Sequence, residues 1–198
     1  LAPHQLYSIQ RQHPLSTPAP IIHEIHPPLR LLLTTAPQTE SMKNICREEE
    51  RQFRKLAELQ PRRLALTVLR NATTNSLYTT LLEAKRKQTP FHAWHHVGDT
   101  HSTHLSLVGG QLTWDEVAKL VGLSEQGLSL ISFYLSYTGH HPPTLLRQWS
   151  QLPVGMVAGF IRNGADFCRH NVFPNFYRDI QTLSISGSIQ TVYADMNN

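Results

Sequence analysis

The sequence predicts a mainly α-helical fold of helical hairpins, with an extended proline-rich N-terminal arm and a small C-terminal β-hairpin. Three observations lead to this prediction. Apolar residues recur at helical spacing through residues 41–88, seven of the 13 prolines fall within residues 1–40, and all ten glycines lie at or after Gly98. We therefore divide the chain into an arm (1–40), a helical domain (41–181) and a C-terminal hairpin or tail (182–198).

The arm lacks the pattern of a segment that folds by itself. Each proline fixes its own φ, removes an amide donor and favours extended backbone at the residue before it. A helix or a central strand is therefore not expected in residues 1–40, apart from the short apolar run 29–33. We expect other protein subunits to order this arm.

Three helices are predicted between the arm and Pro90. The apolar stripes cover residues 42–59, 64–72 and 77–82, and Pro61 separates the first stripe from the second. The third stripe ends at a basic cluster, which complements the dipole at the end of a helix.

The glycine-containing half of the chain continues the helical prediction. Thr113 and a glutamate three residues later form a capping box for a helix that ends at Gly122. Apolar residues at 124–135 and 153–168 predict two further helices, and the last residues predict the hairpin.

Positive charge is concentrated in the first helices. The whole chain carries +4, with 18 Lys and Arg against 14 Asp and Glu, and residues 43–87 alone sum to +6. Such a surface suits RNA or acidic lipid, and the plain alternative is a solvated helix face. The predicted polyanion-binding residues are Arg51, Arg54, Lys55, Arg62, Arg63, Lys85, Arg86 and Lys87.

A histidine cluster supplies the candidate metal ligands, which are His92, His95, His96, His101 and His104. The run His92-x-x-His95-His96 resembles one histidine box of the membrane di-iron desaturases, which implies a His-ligated metal enzyme. That family also has further boxes and long membrane helices, and this sequence contains neither. Hydrogen bonding and packing are the competing explanation, so no cofactor is predicted.

Residues 112–131 resemble the helix-turn-helix signature of DNA-binding proteins. Ala118 stands where two helices would cross, Gly122 at the turn, and Ser124 caps the would-be recognition helix. That helix carries no Lys or Arg for phosphates or base edges, so a helical hairpin in the core competes with DNA binding.

No catalytic signature is present: the sequence contains no G-x-S-x-G elbow, no P-loop and no G-x-G-x-x-G. Two cysteines exclude a disulfide scaffold, and no apolar run reaches the ~18 residues of a membrane span. We therefore expect a non-catalytic structural or accessory subunit of a large mitochondrial assembly, a respiratory-chain complex or ATP synthase. A mitochondrial ribosomal protein that contacts RNA through residues 43–87 is the alternative. A basic chain (pI about 9.3) that begins at Leu1 suits a removed mitochondrial leader.

Overall fold

The fold was established from a computed structural model, which describes residues 7–9, 27–101, 103–123, 128, 130–135, 152 and 156–161, with only the backbone at 7–9, 134–135 and 156–161. The strands are β1 (Tyr7–Ile9), β2 (Leu29–Ala36), β3 (Leu64–Leu69), β4 (Ala93–Gly98), β5 (His104–Leu107), β6 (Gly110–Thr113), β7 (Leu130–Leu135) and β8 (Met156–Ile161). The helices are α1 (Glu40–Leu59), α2 (Thr74–Arg86) and α3 (Trp114–Gly122).

A six-stranded sheet organises the described part of the chain, in the order β1-β8-β7-β4-β2-β3. Five neighbouring strands are parallel, and β1 adds to the outer side of β8 in antiparallel direction. A separate antiparallel hairpin joins β5 to β6. The prediction of a mainly α fold is therefore wrong: strands and helices alternate along the chain, and the protein has an α/β architecture.

The sheet has a topological switch point between β2 and β4. Numbered in chain order, the five parallel strands lie 2-1-3-4-5, because the chain moves from β2 to one side and then returns to the other. In open sheets of this doubly wound kind, ligands bind at the carboxyl ends of the strands. The carboxyl ends of β2 and β4 are at Ala36 and Gly98.

Two apolar layers cover the two faces of the sheet. On one face α1 packs over the odd-numbered leucines of β2 and over Ala93 and Val97 of β4. On the other face α2, α3 and the β5–β6 hairpin pack over Leu32 and Trp94. Because both faces are covered, β2 and β4 contain almost no exposed residue.

The stripe predicted as a second helix at 64–72 is the edge strand β3. A short apolar run fits one side of a helix as well as it fits a strand. Two β-branched residues, Thr67 and Val68, favour the strand, and parallel pairing with β2 fixes it.

The same ambiguity explains the other corrections. The helices predicted at 124–135 and 153–168 contain β7 and β8, which pair in parallel with each other. Leu29–Ala36, inside the predicted arm, forms a central strand with β3 and β4 on its two sides. The opening segment thus contains part of the protein's own core. The C-terminal hairpin predicted at 182–198 lies outside the described residues.

The predictions of α1, α2 and α3 are confirmed. Thr113 caps α3 through the reciprocal box with Glu116, and Thr73 makes the equivalent box with Ser76 at the start of α2. No described helix combines the length and the apolar character that crossing a bilayer requires.

Candidate anion-binding cleft

A cleft of about 670 Å³ opens between one side of α1 and the carboxyl ends of β2 and β3. This volume lies within the range of small-molecule sites, and the cleft is beside the switch point of the sheet. Its lining holds five cationic side chains and one carboxylate. The lining residues are Thr35, Pro37, Lys43, Cys46, Arg47, Glu50, Arg51, Arg54, Arg70 and Asn71.

Helical spacing brings most of the cations together. The side chain of Thr39 caps α1 by accepting a hydrogen bond from the amide of Met42 at 3.2 Å, so the helix begins directly after β2. Lys43, Arg47 and Arg51 are then four residues apart and follow one side of the helix. This row forms the α1 wall of the cleft.

The opposite wall is formed where β3 ends. Arg70 follows the strand, and Asn71 adopts a left-handed conformation with φ of 50°, which asparagine tolerates better than most residues. The amide of Ala72 then donates to the carbonyl of Thr35 at 2.8 Å. This bond fixes the Arg70–Asn71 corner against the end of β2.

Glu50 holds two arginines together in the cleft. Its carboxylate accepts from Nε of Arg54 at 2.6 Å and from Nε of Arg70 at 2.7 Å, and Nη2 of Arg70 makes a further bond. The Glu50 side chain is 11% exposed, whereas those of Arg54 and Arg70 are 49% and 65% exposed. The hydrogen bonds from Arg70, followed by those from Arg54, hold the pKa of Glu50 below its ordinary value. The carboxylate therefore remains charged and orients both guanidinium groups.

The other cations of the cleft differ in how far they are neutralised. Lys43 pairs with Glu40 at 2.8 Å, and Arg51 pairs with Glu48 at 2.6 Å, both on the solvent side of α1. Exposed pairs of this kind contribute little to stability, so they can exchange partners readily. Arg47 makes no ion pair with any residue that the structure describes.

The floor of the cleft is uncharged. Cys46 is 5% exposed, and its thiol donates to the carbonyl of Val97 at 3.5 Å. Burial raises the pKa of this thiol to about 12, so it is neutral at physiological pH and is a poor nucleophile. Thr35 is buried beside it. The cleft thus combines charged walls with a neutral floor, which suits ion binding more than covalent chemistry.

The structure divides the predicted polyanion-binding residues into separate groups. Only Arg51 and Arg54 line the cleft. Arg62 and Arg63 are exposed in the turn before β3. Residues 85–87 are exposed at the end of α2, which packs on the opposite face of the sheet. Four further residues line the cleft that the sequence did not predict, which are Arg47, Glu50, Arg70 and Asn71. The four-residue spacing of Lys43, Arg47 and Arg51 was the signal available for the α1 wall.

The candidate metal ligands are spread over both faces of the sheet and a turn. His95 faces α1, where its ring centroid is 5.2 Å from that of Phe53, whereas His96 faces the opposite layer. His101 and His104 stack on each other at 4.5 Å between β4 and β5. In the part of the chain that the structure describes, no three His, Cys, Asp or Glu side chains are grouped as a metal site would require.

The buried histidines have structural partners. Nδ1 of His96 lies 2.8 Å from Oγ1 of Thr34, which also accepts a hydrogen bond from Nε1 of Trp94 at 2.8 Å. Nδ1 of His95 lies 2.6 Å from Oγ of Ser132 on the neighbouring strand. Burial lowers the pKa of His96 to about 3 and holds that of His95 well below its ordinary value. Both rings are therefore neutral members of the core.

His92 is held by Arg30 at the beginning of β4. The guanidinium Nη2 of Arg30 lies 2.6 Å from Nε2 of His92, and the amide of Arg30 lies 3.1 Å from Nδ1. A neutral imidazole has one acceptor nitrogen, and a protonated one has none. Burial, with a smaller effect of the Arg30 charge, accordingly lowers the pKa of His92 to about 4.

Gly98 marks a close approach at the switch point. A Cβ at this position would lie 2.6 Å from Nε2 of His96 and 3.1 Å from the carbonyl oxygen of Ala36. We expect Gly98→Ala to lower the free energy of unfolding by about 1–3 kcal/mol, because the buried ring has no room to move. Gly122→Ala is the control, since a Cβ there meets no atom within 4 Å. Urea titration measures the free energy of unfolding of both variants, and equal values would contradict the expectation.

Part of the second helix that the helix-turn-helix hypothesis predicts is a strand in the structure. Leu112 lies in β6, and Trp114–Gly122 forms the predicted first helix, α3. Leu130 and Ile131, assigned by the hypothesis to the recognition helix, are residues of strand β7 inside the sheet. Ile131 is fully buried, so it is not available to a DNA groove.

Comparison with known proteins adds little to this description. No protein family matches the sequence, and no curated protein is significantly similar to it. Among solved structures, the chain is similar to the lysine decarboxylase LdcF of Francisella novicida, with 8% identity and a TM-score of 0.44. The similarity covers 78% of this chain and 17% of the decarboxylase. Any proposal of function therefore rests on the geometry of the site.

Proposed function

We propose that this α/β domain is a binding domain for a small anionic ligand, which it takes in the cleft between α1 and β3. The observation that carries the proposal is the pair Arg54 and Arg70, held on the buried side by one carboxylate while their outer surfaces line the cleft. Guanidinium groups fixed in this way are suited to bidentate contacts with phosphate or carboxylate oxygens. The proposal assigns binding to the cleft and no chemical step.

The shape of the site favours a small ligand over a nucleic acid. The cleft is concave and of small-molecule size, whereas the remaining basic groups are on other parts of the domain. An RNA surface would use such groups together along the phosphate backbone. The ribosomal alternative, with RNA contacts through residues 43–87, is therefore less well supported than a single cleft.

The accessory-subunit hypothesis remains a separate proposal. A binding domain of this kind is compatible with a non-catalytic subunit of a mitochondrial respiratory complex or ATP synthase. Purification of the tagged chain from cells, followed by identification of stoichiometric partners and their location, would test it. Recovery of the chain alone would contradict it.

Calorimetric titration with inorganic pyrophosphate tests the cleft. We expect one saturable site, and we expect Arg47→Gln to weaken binding at least tenfold without affecting folding, because Arg47 has no ion-pair partner among the described residues. The matched control is a triple variant of residues 85–87, Lys85→Gln with Arg86→Gln and Lys87→Gln, which removes more charge at a distant surface.

The triple variant distinguishes binding in the cleft from non-specific attraction of the anion to the positive charge of the protein. If the cleft is the site, the triple variant binds pyrophosphate as the unmodified protein does. If the triple variant loses as much affinity as Arg47→Gln, or if pyrophosphate does not bind, the proposed function is wrong. Raising the salt concentration should weaken binding, since the charges of the cleft are partly exposed.

A further inference from the structure

We propose that the cleft selects a dianionic phosphoryl group, as carried by a phosphate monoester of small-molecule size or by inorganic phosphate. The inference rests on the proposed function and makes it more specific, because it excludes the singly charged phosphodiester and the carboxylate as preferred ligands. It follows from the charge balance of the cleft and from the hydrogen-bond donors that remain free there.

Two positive charges of the cleft are not compensated by described residues. The group formed by Arg54, Arg70 and Glu50 carries a net charge of +1, since two guanidinium groups share one carboxylate. Arg47 adds a second positive charge, because no described carboxylate pairs with it. The pairs of Lys43 and Arg51 with acids on the solvent side contribute no net charge.

A phosphate monoester matches this balance. It carries a charge of about −1.5 to −2 at pH 7, whereas a phosphodiester or a single carboxylate carries about −1. Binding a dianion would therefore neutralise the cleft without breaking either exposed ion pair. A monoanion would leave one of the two positive charges in the cleft uncompensated.

The free donors also suit a terminal phosphoryl group. Glu50 accepts hydrogen bonds from Nε of Arg54 and from Nε and Nη2 of Arg70. Each arginine therefore keeps further N–H groups that can donate to another acceptor. Both guanidinium groups bind the same carboxylate and line the same cleft. A monoester offers three terminal oxygens to such a set, whereas a diester offers two and has to continue past the site in both directions.

The test compares ligands that differ by a single methyl group. Phenyl phosphate and methyl phenyl phosphate share the aromatic ring, but the methyl ester has one terminal oxygen and one charge fewer. With calorimetry at pH 7.5, we expect phenyl phosphate to bind at least tenfold more tightly. Arg47→Gln should reduce this preference severalfold, and Arg70→Gln should weaken phenyl phosphate more than its methyl ester. The 85–87 triple variant should keep the full preference.

Orthophosphate is the third ligand and identifies the source of the phosphoryl group. Equal affinity for orthophosphate and phenyl phosphate would assign the site to inorganic phosphate, whereas tighter binding of phenyl phosphate would assign it to an organic monoester. Equal binding of phenyl phosphate and its methyl ester would overturn the inference and leave a general anion site in place. Failure of pyrophosphate to bind is a separate outcome, and it contradicts the proposed function itself.

Discussion

Acidification from pH 6.5 to pH 4.5 should lower the free energy of unfolding, because the losses from three buried histidines together exceed the opposing gain from Glu49. The unfolded chain protonates its histidines near pH 6.5, while the folded chain keeps His96 neutral down to a pKa of about 3 and His92 down to about 4. The pKa of His95 is lowered as well. The unfolded state therefore binds more protons over this range, so stability falls as the pH falls.

The size of this effect follows from the linkage relation. His96 alone accounts for about 2 kcal/mol over two pH units, at about 1.4 kcal/mol for each proton and pH unit, because the unfolded histidine is only half protonated at pH 6.5. His95 adds a loss of the same sign, and His92 adds a smaller one because solvent reaches part of its ring. Urea titrations at pH 6.5, 5.5 and 4.5 measure the slope. His96→Asn keeps a polar group beside Thr34 and should lower the slope by about one proton.

A free energy of unfolding that did not change between pH 6.5 and pH 4.5 would contradict this expectation. It would mean that the buried rings are protonated in place and that the sheet admits solvent at β4. The hydrogen bonds of His95 and His96 with Ser132 and Thr34 would then have to rearrange without loss of stability.

Replacement of Glu49 should produce the second large effect, on the alkaline side. Glu49 is 6% exposed in the middle of the buried side of α1, and its Oε2 has no hydrogen-bond partner among the described residues. Burial, with a smaller contribution from the Glu48 charge, raises its pKa to about 8. The folded state thus keeps a proton that the unfolded state loses near pH 4.5, and stability falls as the pH rises towards 8.

We expect Glu49→Gln to remove this loss. Between pH 6.5 and pH 8.5 the free energy of unfolding of the unmodified protein should fall by about 2 kcal/mol relative to that of the variant, because both proteins share the contribution of the histidines. The titration stops at pH 8.5 because Cys46 would add its own loss of stability above pH 8.5. Burial raises the pKa of this thiol to about 12, so the unfolded state loses the proton first. Glu48→Gln is the control, since the pKa of Glu48 is lowered to about 2 by its hydrogen bond to Arg51.

The control should show most of the alkaline loss of the unmodified protein, because the Glu48 charge makes only the smaller contribution to the pKa of Glu49. Equal slopes for Glu49→Gln and Glu48→Gln would contradict the assignment of the loss to Glu49. The Glu49→Gln background also isolates the histidines, because Glu49 acts in the opposite direction below pH 6.5. In that background the acid slope should become steeper by about one proton.

The helices could be predicted from the sequence because their signals are local. The Thr113 capping box and the stripe of α1 need no information from distant parts of the chain. The strands β2 and β4 are buried on both faces and therefore show no alternation of apolar and polar residues, which is the usual sign of a strand. Only their pairing with each other distinguishes them from buried helices.

The residues of the candidate site also differ in whether local sequence signals could predict them. Arg51 and Arg54 were predicted because they belong to a helix that the sequence identifies. Arg70 was missed because its role depends on the contact with Glu50, twenty residues away, which exists only once β3 lies beside α1. A helix at 64–72 would have placed Arg70 elsewhere, so the error in the fold caused the error in the site.

The grip of Glu50 on two arginines has a consequence for the kinetics of binding. A long cationic side chain that is free in solution loses about 0.5–1.5 kcal/mol of conformational entropy when a ligand immobilises it. Arg54 and Arg70 lose much of this entropy when the protein folds, because Glu50 already restrains them. An incoming anion therefore meets a preorganised receptor, and its association rate should be limited by diffusion and electrostatic steering more than by side-chain rearrangement.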